Sequence, residues 1–250
     1  MALVEDKLIG GVSALRLNNT VANVLNSDVI KFLAAAIGDA AKSSRAIVIL
    51  GGDKFFSNGL DLLWALELDR SSLREMFLAM SRLVLLMLET PMPLVSAMKG
   101  HAIGAGKTIF SACDYRIGAS GHVLIGMPEV KLGVPNPYFA DQLFRFLTHD
   151  TIASELIYSG ELITAEKAAS VGLVNEICDA DAVEVRALEK AKILSEVPRL
   201  AFAYSKEQRT ESLVARIREL LPSKLENLLD AWFGDEAQRL LNAAAERLRK

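Results

Sequence analysis

The stretch that most constrains this chain is Ala46-Ile47-Val48-Ile49-Leu50, five apolar residues in a row, three of them β-branched, closed by Gly51-Gly52. A strand without a polar face has to be covered on both sides, which is the condition of a parallel sheet clothed by helices. A second such strand is predicted over 94–98, behind the helix-breaking Pro91 and Pro93. Around these two strands the signals alternate. Alternating apolar positions over 9–17, interrupted by Gly10-Gly11, predict a strand pair; Ser27 is expected to cap a helix whose inner face carries Val29, Ile30, Leu33 and Ile37. A strongly apolar helix is predicted over 72–89, a helix over 107–112, and strands over 114–119 and 122–125. Thr164 should cap a helix that Gly172 ends, with a strand over 173–177. The alternation predicts an α/β core over 1–195 with parallel strands. From 183 onward the signals are helical only, so residues 196–250 are expected to form a helical region. Its apolar positions Leu213, Ile217, Leu220, Leu225, Leu228, Leu229 and Trp232 recur near helical spacing and call for a surface to pack on, the core or another subunit.

The 250 residues, 51% hydrophobic, suffice for one large core. The 28 basic and 31 acidic residues form no single-sign block, which argues against nucleic acid as a partner. Cys113 and Cys178 lack metal-ligand spacing and are expected to be core thiols, with no metal site. Glu5, Asp6 and Lys7 stand where a secretory signal needs apolar residues. Leu83-Val84-Leu85-Leu86-Met87-Leu88, the most apolar run, falls far short of the roughly 18 residues of a membrane span, and the final Arg-Leu-Arg-Lys is not a peroxisomal address. A cytoplasmic protein without membrane contact is the expectation.

The strand at 94–98 leads into Gly100-His101-Ala102-Ile103-Gly104-Ala105-Gly106-Lys107-Thr108, whose last letters imitate a phosphate-binding loop. That loop needs its first glycine five residues before the Gly-Lys-Thr, where this chain has His101, so the nucleotide reading fails on backbone geometry. Its magnesium aspartate is missing as well, since the apolar run that meets an aspartate, ending in Asp53, precedes the loop. Lys107 and Thr108 diverge by about 100° on a helix, which assigns Lys107 a structural or solvated place. His101, His122 and His149 have no partner in a recognisable motif and are taken as bystanders.

Two further segments stand out: Phe56-Ser57-Asn58-Gly59-Leu60-Asp61-Leu62 and Met127-Pro128-Glu129-Val130-Lys131-Leu132-Gly133. Each alone has a plain structural meaning: a turn with Asp61 as helix cap, and a solvated proline turn. Together with the glycine-rich segment and Cys113-Asp114-Tyr115-Arg116-Ile117, in this order and spacing, the chain resembles the enoyl-CoA hydratase/isomerase (crotonase) family from about residue 10 onward. The resemblance implies a spiral of ββα units with a C-terminal helical region that builds trimers or dimers of trimers. It also implies an acyl-coenzyme A substrate, with coenzyme A as part of the substrate and no separate cofactor.

Members of that family hold an enolate oxygen on two backbone N–H groups, which by position are those of Leu60 and Ala105. Gly59, Gly104 and Gly106 let the backbone approach the ligand, and Ala105 would open a helix. One such donor is typically worth about 3 kcal/mol at the transition state. Family hydratases use two glutamates, at positions that fall here on Thr108 and Glu129. Adding water to a double bond needs two proton-transfer groups, whereas a 1,3 proton shift needs one carboxylate. The expected activity is therefore Δ3,Δ2-enoyl-CoA isomerisation with Glu129 as acid/base. Ser57, Asn58, Gly59, Gly104, Trp64, Tyr138 and Phe139 are expected to bind substrate, the aromatic groups with Leu60 lining a dry pocket that raises the Glu129 pKa. The alternatives on the same fold are an unusual hydratase and a decarboxylase of a malonyl-type thioester; an RNA-binding, catalytically silent member is disfavoured by Glu129 and the acidic balance.

Overall fold

The computed structural model describes residues 3–249; residues 1, 2 and 250 of the expected 1–195 and 196–250 division lie outside the described residues. The first pair of strands, β1 (Val4–Ile9) and β2 (Val12–Leu17), forms an antiparallel hairpin about Gly10-Gly11. Helix α1 (Ser27–Ser43) buries Val29, Ile30, Leu33 and Ile37, as its spacing requires. Its cap is Asn26 rather than Ser27: Asn26 is extended and its side chain accepts the Val29 N–H, while Ser27 already has helical geometry.

The chain then coils between two sheets. β3 (Ala46–Leu50) enters the large sheet and β4 (Phe55–Ser57) the small one, followed by α2 (Leu62–Ala65) and α3 (Arg70–Glu89). The next turn repeats this with β5 (Leu94–Met98), β6 (His101–Ile103) and α4 (Ala105–Ser111). In the third, β7 (Tyr115–Ala119) and β8 (Leu124–Gly126) precede a 3₁₀ turn at Glu129–Leu132, then α5 (Tyr138–Leu147) and α6 (Asp150–Ser159). β9 (Leu162–Thr164), α7 (Ala165–Ser170), β10 (Glu176–Cys178) and α8 (Val183–Ser195) finish the core. The large sheet has the order β1-β2-β3-β5-β7-β10, parallel from β2 onward, and the small one β4-β6-β8-β9 with only β9 antiparallel. This is the expected crotonase-type α/β spiral. β3 and β5 are buried along their whole length, as runs without a polar face must be.

The strand expected over 173–177 is displaced to β10. Gly172 is left-handed (φ 87°), and the Leu173 and Val174 N–H groups both donate to Ala168 O. These two apolar residues close the end of α7 and bury there, so backbone hydrogen bonding to β7 begins only at Asn175, whose N–H donates to Arg116 O, and β10 itself at Glu176. Cys113 is a core thiol, pushed up to about 12 by burial, but Cys178 lies at the end of β10 and is only half-buried.

The remainder is helical: α9 (Arg199–Trp232) and α10 (Asp235–Leu248). α9 packs along α3 and α5. Its Lys206 Nζ meets Asp114 Oδ2 at 2.8 Å in a nearly dry pair, and the same carboxylate oxygen accepts the Leu94 N–H, so one aspartate ties β5, the α4–β7 corner and α9 together. Among the described residues no helix is long and apolar enough to cross a membrane.

Candidate active site

The small sheet ends its strands at one place, and the loops that leave it form the site. Beyond β4, residues 58–61 are fastened on both sides to the segment after β2. The Asn58 N–H donates to Ala22 O (2.9 Å), the Leu25 N–H to Gly59 O (2.8 Å) and the Asp61 N–H to Leu25 O (2.9 Å). Ser57 Oγ locks the corner by donating to Asn23 O (2.7 Å) and accepting the Gly59 N–H (3.2 Å). The Leu60 N–H alone in this stretch meets no acceptor among the described residues. Gly59 is left-handed, with φ 87°. A Cβ there would stand 2.8 Å from Ile103 O and 3.3 Å from Ala105 N, so this loop lies directly on the start of α4.

Ala105 is the first residue of α4, and its N–H is likewise without an acceptor among the described residues, as first-turn donors are. Gly104 before it has φ 52°, and a Cβ at that position would stand 2.8 Å from Glu129 Oε1. The carboxylate therefore rests on the bare Cα of Gly104, beside the two free N–H groups. Glu129 opens the 3₁₀ turn behind Pro128, and its Oε2 is buried without a hydrogen-bond partner. Burial raises this carboxyl to about 7, against the opposing pull of its own backbone N–H and, after that, of the Lys107 charge. Thr108 lines the same space, and its hydroxyl donates back to Gly104 O at 3.2 Å.

These residues border a cavity of about 360 Å³. Asn58, Gly59, Leu60, Gly104, Ala105, Glu129 and Phe139 all line it, so the structure brings these expected site residues together. It places three elsewhere. Ser57 is buried beneath the loop, where its hydroxyl is consumed in positioning. Trp64 and Tyr138 lie outside the lining: the phenol of Tyr138 stands among Arg216, Asp141, Arg145 and Glu219. Its neighbour Phe139, one position on in α5, is the one that turns inward, since adjacent helical residues face apart.

Sequence reasoning missed the far wall. Met76, Phe77 and Met80 of α3, Leu228 and Trp232 of α9, and Leu241 of α10 close the cavity, with the Phe77 and Trp232 rings edge to face at 6.3 Å. The apolar stripe that names Leu228 and Trp232 was visible as a packing face, but not as a wall of a site. His101 is structural: its Nδ1 accepts the Leu124 N–H at 2.9 Å. Lys107 is neither solvated nor ion-paired. It is fully buried, its Nζ has no hydrogen-bond partner among the described residues, and it sits 3.5 Å from the centroid of the Phe144 ring.

The family model described as enoyl-CoA hydratase/isomerase matches residues 8–241. A short-chain-enoyl-CoA hydratase of Clostridium acetobutylicum is 30% identical over 194 residues, 76% of this chain and 74% of that protein. Enoyl-CoA delta isomerase 3 of Arabidopsis thaliana is 29% identical over 153 residues, 60% of this chain and 64% of that protein. The crystal structure of human mitochondrial delta3-delta2-enoyl-CoA isomerase superposes with a TM-score of 0.94 over 99% of this chain and 98% of that one, at 23% identity, a likeness of fold.

Proposed function

This chain belongs to the enoyl-CoA hydratase/isomerase family, and from that premise we propose that it moves the double bond of a 3-enoyl thioester of coenzyme A to the 2-position. The observation that carries the reading is that Glu129 is the one carboxylate lining the cavity among the described residues. The Glu129 carboxylate takes a proton from C2; the C2–H electron pair forms a C1–C2 double bond as the carbonyl π pair moves onto the thioester carbonyl oxygen, giving a dienolate held by the Leu60 and Ala105 N–H groups. The same carboxyl returns its proton at C4, and the electrons close as the C2–C3 double bond. Hydration needs a second proton-transfer group, and the hydroxyl of Thr108 is engaged with Gly104 O. Coenzyme A arrives as part of the substrate, and the proposed chemistry is proton transfer alone.

The test is a substrate panel of a 3-enoyl-CoA, crotonyl-CoA and methylmalonyl-CoA. Turnover of the first alone supports the reading; hydration of crotonyl-CoA or loss of carbon dioxide from methylmalonyl-CoA at a comparable rate overturns it in favour of a hydratase or a decarboxylase. Glu129→Gln should lower isomerisation roughly 10²-fold or more while acyl-CoA still binds. The proposed assembly is a trimer or a dimer of trimers, consistent with the exposed apolar side chains Phe146, Tyr158 and Leu162. Light scattering should then give a multiple of three times the 27.2 kDa chain mass.

A further inference from the structure

A fully buried ammonium without a hydrogen-bond partner is costly, and the fold offers no structural return for Lys107: it bridges no two elements by a hydrogen bond or an ion pair. Its place in the helix gives it a different significance. Lys107 lies in the first turn of α4, three positions beyond the N-cap Gly104, and a helical side chain leans toward the N-terminus. The Glu129 carboxylate lies at that same end of α4, where a Cβ on Gly104 would stand 2.8 Å from Glu129 Oε1. Each group is an unpaired, buried ion former of opposite sign, and Phe144 of α5 presents its ring to Nζ at 3.5 Å, a contact that favours the charged amine.

We propose that Lys107 is a positioning residue whose buried ammonium favours the ionised form of Glu129 and so keeps the base ready at neutral pH. The role rests on Glu129 being the base. Lys107 does not line the cavity and touches no substrate; it acts through the field, undiluted by water. The charges that act on Lys107 are those of Glu129 in the 3₁₀ turn and Asp141 in α5, which favour the ammonium, and of Arg116 in β7, which disfavours it. Lys107 is the charged side chain that acts on Glu129, and the other charge on the cavity wall, Arg247 of α10, is exposed. The Coulomb influence of Lys107 opposes the burial that would otherwise hold the proton on the carboxyl.

The experiment follows the carbon-13 shift of the Glu129 carboxyl with pH in the full chain, assigned with Glu129→Gln, alongside the pH profile of turnover. In Lys107→Met, which keeps most of the side chain's length and removes its charge, the Glu129 midpoint should rise by about one pH unit, leaving about fivefold less carboxylate at pH 7. kcat should fall by the same factor at pH 7 and recover in alkaline buffer, with KM unchanged. Lys107→Arg, which keeps the charge, should hold the midpoint within a few tenths of a unit. A midpoint unmoved in Lys107→Met, or moved equally in Lys107→Arg, overturns the proposal. If Lys107→Met does not fold, Glu129→Gln decides: the carbon-13 titration midpoint of Lys107 must fall when the Glu129 charge is removed, and a Lys107 midpoint that does not move overturns it too. Because the shift is read without turnover, failure of the isomerase reading shows separately, as an inactive panel with the titration intact.

Discussion

Glu129 keeps its proton in the folded chain to about pH 7, against 4.5 for an ordinary carboxyl, because burial disfavours the charge. Between those values the unfolded chain has released a proton that the native chain still binds, so this group makes stability fall as pH rises from 4.5 to 7. Lys107 works in the other direction. Burial brings its amine from 10.5 down to about 7, and between those values the unfolded chain binds the extra proton, so stability rises with pH. The expected outcome in thermal melts is that Glu129→Gln gains on the unaltered protein as pH rises from 5 to 7. Lys107→Met should gain most at or below pH 7, with its advantage shrinking toward pH 10. Melting-temperature differences independent of pH in both variants contradict the two shifts. Glu129 and Gly104 were legible in the sequence through the family resemblance, since a Pro-Glu turn and a glycine beside a strand have plain structural meanings by themselves. The burial of Lys107 was not, because a lysine next to Thr108 reads the same whether its stem runs to water or under Phe144.

At the scale of elements, the start of α4 is defined by the backbone of Gly104, whose φ of 52° and contact with Glu129 exclude a side chain on both counts. Gly104→Ala should cost about 1–2 kcal/mol through the left-handed backbone. It should lower kcat far more than Tm, because the new methyl pushes the carboxylate off its seat while the strands and helices persist. Parallel measurement of Tm and turnover checks this, and a variant that loses stability but keeps full activity contradicts it. The elements that the sequence made plain were those with an unambiguous pattern: β3 and β5 match their apolar runs residue for residue. The displaced β10 shows why others were not, since Leu173 and Val174 have the composition of a strand and the hydrogen bonds of a helix end. Trp64 and Tyr138 lie outside the cavity lining for a similar reason. Both have the chemistry of a pocket wall, but which of two neighbouring helical residues turns inward is settled by where α2 and α5 dock.

For the whole molecule, the C-terminal helices are both scaffold and wall. α9 is anchored to the core by Lys206 and Asp114 and tied to α3 by Arg70 with Glu226 and Asp230 and by Arg218 with Glu89. That docking brings Leu228 and Trp232 against Phe77 and Met80, and α10 adds Leu241 and Ala244, with Arg247 and Leu248 exposed to solvent at its end. The cavity is thus lined by residues from along this chain, with the Glu129 carboxyl and the Leu60 and Ala105 N–H groups beside an apolar region between α3 and α9. If the acyl chain of the proposed substrate runs into that region, Trp232 limits its length. Trp232→Ala removes a buried indole and should cost about 3–5 kcal/mol, so it should be assayed well below its lowered melting temperature. There, kcat/KM for a twelve-carbon 3-enoyl thioester should rise relative to a six-carbon one, since the space vacated by the ring lies where the longer chain must go. An unchanged ratio in a folded variant would place the acyl chain along another wall, and leave Trp232 as packing between α3 and α9 alone.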